Sequence, residues 1–343
     1  MSQVLRRRLV GIGAVTAAAI GLVVLAWLWI PLVAVADLLR GRWRLPTVRL
    51  LAFGTAFAWL ELAGVGAAGW LWATGRGRDV ASNRRLQKWW ANKVMGALEV
   101  TCGLVPTVQG IEAVAPGPTV VAVRHASLAD SLLTAWAVMH GADMWPRVVM
   151  KKELLVDPCL DIVGNRIPNC FIDRGADDSA PELEAVAAMG AGMGHDECAV
   201  IFPEGTRSNP DKRARALERI AETDPGRARK LDALQHLLPP RRAGAESLLG
   251  AAPQADLVLA WHAGFEGLDT FSGIIDAIGS GRRRAARPSM VSPSPNSRLT
   301  SNSATFQWRS NGSVVSYYGI HVGSKAGGAD IYNSGAVTPR TSI

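Results

Sequence analysis

Apolar residues are distributed unevenly along this chain, and their spacing changes character several times. From Leu9 to Ala36 no charged residue interrupts a run of 28 positions, and Arg6, Arg7 and Arg8 precede it. Such a run is long enough to cross a bilayer as a helix. A second run, Leu50 to Thr74, carries one charge, Glu61, and the small residues Gly54, Gly64, Gly66 and Gly69 that allow helices to approach closely. Two membrane helices joined by a short loop are therefore expected. Next, "RRLQKWWANKVMGALEV" (Arg84 to Val100) has the spacing of an amphipathic helix, suited either to the interface with Trp89 and Trp90 at headgroup depth or to plain core packing. From Val105 to about Gly279 the pattern changes again. Short apolar segments, "TVVAVR", "PRVVMK", "NCFID", "CAVIFPEG" and "ADLVLAWH", alternate with helical stretches. That alternation predicts an α/β domain with a mostly parallel sheet flanked by helices, whose strand ends converge on one site.

The loop between the two apolar runs, "RGRWRLPTVR", is basic, as are the N-terminus and the segment after Gly75. A spanning hairpin would place one of these clusters outside, against the positive-inside tendency, whereas a hairpin dipping into one leaflet leaves all of them on one face. Both arrangements fit the sequence. Ala34 to Ala36 followed by Asp37 has the form of a signal cleavage site, but the apolar stretch before it exceeds the usual signal core, so an uncleaved anchor is expected.

Charge adds to the membrane reading. Lys plus Arg number 37 against 29 Asp plus Glu, giving +8, and many of the arginines flank the apolar runs, where they suit anionic headgroups. Nucleic acid is not an expected partner, because no finger, basic zipper or stacking-aromatic module is recognisable. The four cysteines are widely spaced without a C-x-x-C, so neither a metal site nor a disulfide framework is indicated, and reduced thiols in a cytosol-facing domain are expected.

The predicted strand ends carry the chemistry. His125 follows the first strand in "VRHASLADSL", and Asp130 comes five residues later. Five residues on one helix would turn the two side chains about 140° apart, so they can meet only if His125 precedes a helix that holds Asp130 in its first turns. Ser127 is the expected N-cap of that helix. The second strand leads to Lys151 and Lys152, the third to Asp173 and Arg174, and the fourth to Glu204 through Arg207. His262 ends the fifth strand and reads as a structural histidine.

"HASLAD", "FIDRG" and "FPEGTRS", in this order and at these separations, resemble the glycerolipid and lysophospholipid acyltransferase family, whose best-known members acylate 1-acylglycerol-3-phosphate. The likeness runs from about Trp89 to Gly279, with a further family-like segment, "LLPPRRAG", in which Pro239 would shape the acceptor pocket. It implies that His125 is the catalytic base, held by Asp130, and that Arg174, Glu204, Gly205, Thr206 and Arg207 bind substrate. Arg174 and Arg207 would take the acceptor's phosphate, for which a planar guanidinium suits better than a point charge. No cofactor is implied beyond acyl-CoA or acyl carrier protein as donor, and no metal. The partners implied are membrane lipids, the acyl donor and a lysophospholipid acceptor. The implied setting is phospholipid biosynthesis at the inner membrane, with the catalytic domain facing the cytoplasm. Arg124 stands where the family commonly has asparagine, and Pro168 and Asn169 replace a glycine usual before the "FIDR" stretch. A non-catalytic lipid-binding protein on the same scaffold is the alternative, and a hydrolase in which His125 activates water is a third reading.

After Gly279 the composition turns to Arg, Ser, Pro, Asn and Gly with short strand-like pieces. From Ser292 these resemble part of the immunoglobulin-like or fibronectin-like modules of secreted bacterial proteins, at about half the length of a complete sandwich. The expected organisation is a membrane-embedded helical hairpin over 1–78, an acyltransferase domain over 79–279, a linker or seam over 280–291 and a partial β-sandwich-like tail over 292–343.

Overall fold

The structure is a computed structural model that describes residues 2–173, 179–232, 237–260, 262, 265 and 267–280, with the backbone alone of 289–292, 307–309, 321–322 and 332–333. Of the linker or seam expected over 280–291, residues 281–288 lie outside the described residues.

All five expected strands form: β1 (Thr119–Val123), β2 (Trp145–Lys151), β3 (Cys170–Ile172), β4 (Glu197–Ile201) and β5 (Asp256–Ala260). They make one sheet in the order β3-β2-β4-β1-β5, and every neighbouring pair is parallel. Parallel neighbours need crossovers, which the intervening helices supply. Successive side chains on a strand point to opposite faces. Val120, Val149, Ala199 and Ile201 accordingly pack on one face with Val186 and Met189 of α7 (Ala180–Gly190) and Leu248 of α10 (Arg242–Ala251). Val121, Val123, Val148, Met150, Cys198 and Val200 pack on the other face with Val138 of α5 (Asp130–Gly141). The fold is therefore α/β, with helices on both faces of a five-stranded parallel sheet.

The first apolar run forms two helices, where the sequence suggested one. α1 (Gln3–Val24) ends at Leu25, α2 (Ala26–Leu39) continues with Pro31 inside it, and α3 (Pro46–Ala73) takes the second run. Proline at the sixth position of α2 removes a donor and crowds the preceding turn, which favours a break nearby. α1 and α3 are each long and apolar enough to cross a membrane, and they pack on each other as the arms of a hairpin. At the turn, Asp37 is buried and accepts from Thr47 N and Thr47 Oγ1 at 2.9 and 2.7 Å.

The expected amphipathic helix is α4 (Val80–Cys102), capped by Asp79. It lies along α3, and Trp90 meets Phe57 edge-on at 5.9 Å. The middle of α3 is in contact with the α/β unit as well. Ala68 packs with Cys159 and Val163 of α6 (Pro158–Val163), and the Glu61 carboxylate accepts from Cys159 N at 3.3 Å. At the N-terminal end of α1, Arg7 and Arg8 both pair with Asp161, which is 1% exposed. At the turn, Arg42 pairs with Asp276 of α11 (Phe271–Ser280) at 2.8 Å. The hairpin is thus fastened to the α/β unit at both ends and in its middle.

Two further helices, α8 (Pro210–Thr223) and α9 (Pro225–Asp232), follow the strand β4 loop. Beyond α11, the described strands are β6 (Ser289–Ser292), β7 (Gln307–Arg309), β8 (His321–Val322) and β9 (Tyr332–Asn333). β6 pairs with β7 and β8 with β9, both antiparallel, and none of the four joins the five-stranded sheet.

Candidate functional site

His125 stands in the loop between β1 and α5, and Asp130 is the first residue of α5. This is the geometry that the five-residue separation requires. His125 Nδ1 lies 2.9 Å from Asp130 Oδ2, with the histidine side chain 17% exposed and the aspartate fully buried. A donor at Nδ1 leaves the Nε2 lone pair free to take a proton from an incoming group. The imidazole packs against Phe202 with ring centroids 4.7 Å apart, which limits its rotation.

Ser127 is not the N-cap of α5. The cap position is Ala129, and no side chain bonds there. The Asp130 carboxylate instead gathers the loop around itself: it accepts from Ala126 N at 2.6 Å and Ser127 N at 2.8 Å, and Ser127 Oγ donates to Oδ1. An acid in the first turn is favoured by the helix dipole, and here it organises the turn in place of the serine. Burial pushes the Asp130 pKa up. Hydrogen bonds from His125 and Ser127, with the close approach of the His262 ring, outweigh it and hold the group well below the ordinary carboxylate range.

His262 belongs to this cluster, in contrast to its reading as a structural histidine. Its Nε2 lies 3.1 Å from Asp130 Oδ1, the oxygen that His125 does not use. Register brings the two rings together. Val123, the last residue of β1, pairs with Ala260, the last of β5, so His125 and His262 each follow by two residues the paired ends of adjacent strands. Arg124, where the family commonly has asparagine, donates from Nη1 to His262 O at 3.0 Å, and its backbone N–H donates to Ala260 O at 3.0 Å. The arginine therefore fastens the end of β5 beside β1.

Glu204 lies just past β4 and is 6% exposed. Both its oxygens are taken by backbone amides: Oε1 accepts from His125 N at 2.7 Å and Oε2 from Leu238 N at 2.9 Å. Burial pushes its pKa up to about 7, against the lowering effect of those two amides. In this arrangement the glutamate clasps the His125 loop to the 237–241 segment. Arg207 is held elsewhere: its Nη1 donates to Asp269 O at 3.2 Å. Gly205 has φ +72°, a conformation that favours glycine, and its amide closes a turn onto Phe202 O at 3.0 Å. A side chain there would meet Arg241 at 3.0 Å. Thr206 is half-buried in the same turn, and Ser208 N donates to His125 O at 2.7 Å. The "PEGTRS" turn is thereby tied directly to the histidine loop. Arg174 lies outside the described residues. Pro239, expected to shape the acceptor pocket, follows Leu238, whose amide Glu204 holds.

The ends of β1, β4 and β5 thus bring together a histidine, whose Nε2 points away from the buried carboxylate behind it, and the turn that carries Arg207, tied to the histidine loop through Ser208 N. Such a set can accept a proton from a hydroxyl and stabilise the imidazolium that results.

Residues 105–242 match the family model described as Acyltransferase. No curated protein and no solved structure matches the chain. The match encloses His125, Asp130 and the "FPEGTRS" turn. It supports acyl transfer as the chemistry of this α/β unit, and an acyltransferase as the class of protein.

Proposed function

We propose that the protein is a membrane-associated O-acyltransferase that moves an acyl chain from acyl-CoA or acyl carrier protein to the hydroxyl of a lysophospholipid, 1-acylglycerol-3-phosphate being the acceptor of choice. The observation that carries this reading is the His125–Asp130 contact inside the stretch that matches the acyltransferase model. His125 Nε2 takes the acceptor's hydroxyl proton as the oxygen attacks the thioester carbonyl. The tetrahedral adduct then expels the thiolate, which receives that proton from the imidazolium. Asp130 fixes the tautomer and balances the transient positive charge. No serine nucleophile and no acyl-enzyme are required. Arg207 contacts the acceptor phosphate, with Arg174 as the second proposed phosphate ligand.

The way α3 is packed supports seating the hairpin in one leaflet. A spanning α3 would hold its midpoint at the bilayer centre, yet Glu61, Gly64 and Ala68 are buried against α4 and α6, elements of the α/β side of the molecule. With that face covered, the outward side chains, including Trp59, Trp70 and Trp72 on α3 and Trp27, Leu32 and Leu39 on α2, are the surface available to lipid. Both basic ends then sit at headgroup depth, which agrees with the tendency of basic segments to stay on one side. The domain faces the cytoplasm at the inner membrane in this proposal.

The test is an acceptor panel. Purified membranes containing the protein are given acyl-CoA with lysophosphatidate, lysophosphatidylcholine, lysophosphatidylglycerol or no acceptor, and free thiol is followed. Release that depends on an acceptor and is fastest with lysophosphatidate supports the proposal. Release without acceptor indicates a hydrolase, and none in any arm indicates a lipid-binding scaffold.

A further inference from the structure

At the end of the hairpin opposite the basic turn, an open cavity of about 640 Å³ is walled by Arg8 of α1, Trp72 of α3, Gly77 and Arg78 before α4, and Asn165 and Arg166 after α6. Its position in the fold separates it from the reacting groups. His125, Glu204 and His262 stand at the C-terminal ends of β1, β4 and β5. The first turns of α4 lie at the other edge of the sheet: Arg84 pairs with Glu197, the first residue of β4, and Lys88 pairs with Asp143, just before β2. Arg78 precedes those turns, so the cavity opens at the sheet's N-terminal edge.

Charge in the cavity is unbalanced. Arg7 and Arg8 share one carboxylate, that of Asp161, with Arg8 at 3.3 Å. Arg166 spends Nη1 on Ala68 O at 2.9 Å, a neutral acceptor, and Arg78 is exposed. Burial and the facing Arg8 both pull the Arg166 pKa down, as expected for guanidinium groups held near one another without enough counter-charge. Asp79, next to Arg78, is committed to capping α4 through Ala81 N and Ser82 N. Guanidinium groups converging on an open space recognise phosphate through short charge-assisted bonds.

We propose that this cavity is a binding site for the headgroup phosphate of an anionic phospholipid of the membrane, separate from the acyl-transfer site. The choice of a membrane lipid over a free phosphate rests on the one-leaflet seating proposed above. Trp72 is 73% exposed at the end of the apolar run of α3, the place where an indole marks the boundary between acyl chains and headgroups. A lipid whose tails lie along the outward face of α3 would bring its phosphate to Arg78 and Arg166. Its occupancy would reinforce the attachment that Arg7 and Arg8 make to Asp161 at this end of the hairpin.

The test uses the full chain in a non-ionic detergent, titrated calorimetrically with water-soluble dihexanoyl phosphatidylglycerol, with dihexanoyl phosphatidylcholine and with inorganic phosphate. It depends neither on catalysis nor on bilayer seating, so its failure leaves the proposed activity standing, and failure of the activity leaves this test intact. Saturable binding of the glycerol lipid, stronger than that of the choline lipid or phosphate, is expected. Arg78→Ala should weaken it about tenfold, the worth of one charge-assisted contact, and Arg78→Lys should recover part of the loss, with the melting temperature unchanged in both. Absence of saturable binding, or equal affinity in Arg78→Ala, overturns the proposal. Inorganic phosphate binding as tightly as the lipid would make it a free-phosphate site and overturn the lipid assignment.

Discussion

His262 Nε2 lies 3.1 Å from Asp130 Oδ1, while His125 Nδ1 reaches Oδ2 of the same carboxylate at 2.9 Å. One buried acid therefore stands between two imidazoles, one of which presents a free nitrogen for chemistry. In the proposed reaction His262 acts on the acceptor only through Asp130, as a positioning residue. Replacing it with Ala removes one contact to a buried charge, worth about 1.5 kcal/mol, and should lower kcat about tenfold. KM should stay nearly unchanged. His262→Gln, whose amide can place a donor beside Oδ1, should recover part of kcat. A fall in thermal stability with unaltered kcat would instead make His262 a purely structural residue.

His262 was not legible in the sequence as part of the site, and the reason is physical. It is far from Asp130 along the chain, and only the pairing of β5 beside β1 in one particular register brings it there. The apolar segments did announce their strands, most plainly β1 and β4, which are buried almost throughout, because strands buried on both faces of a parallel sheet read as continuous apolar runs. The His125–Asp130 contact was legible because a strand, a short loop and a helix start are local features. The break at Leu25 was hidden inside an unbroken apolar run, and Ser127 looked like a cap because serine and aspartate compete for the same amides at a helix start.

Glu204 links stability to pH. Its pKa in the folded protein is about 7, against 4.5 for an ordinary glutamate. The folded state therefore binds this proton more tightly than the unfolded chain, and stability falls as pH rises from about 4.5 through 7. Integrated over that window, the loss is about 3 kcal/mol. Glu204→Gln has no such proton and turns an amide donor toward a backbone donor, so it is less stable than wild type at pH 5.5. The gap in melting temperature should narrow by pH 8. A gap that stays constant between those pH values would show that Glu204 does not titrate there.

Arg207 holds Asp269 O with one nitrogen at 3.2 Å, which leaves the rest of its fork for an acceptor phosphate. Arg207→Lys should raise the KM for lysophosphatidate about tenfold, as a bidentate contact becomes a point charge. The KM for a neutral lysolipid such as a monoacylglycerol should hardly change. Equal effects on both acceptors would remove Arg207 from phosphate recognition.

Gly64 fixes the distance between α3 and α6. A methyl group there would lie 2.7 Å from Cys159 Sγ and 3.3 Å from Trp90 Cδ1, so Gly64→Ala should destabilise the protein by about 1–3 kcal/mol through overpacking. Cys159→Ala opens the space, and the double variant should be more stable than the sum of the two single losses predicts, by at least about 0.5 kcal/mol. Simple additivity in thermal melts would show that the two residues do not meet.

The most direct test of the account is the rate of acyl transfer to lysophosphatidate with His125 replaced by Ala. The substitution removes the only group proposed to accept the hydroxyl proton, while Asp130 keeps its bonds to Ala126 N, Ser127 N and Ser127 Oγ, so the loop stays assembled. Acceptor-dependent thiol release from acyl-CoA should fall by about two to four powers of ten, with retention of acceptor by the protein nearly unchanged. Turnover within a few-fold of wild type in that variant would contradict the assignment of His125 as the base.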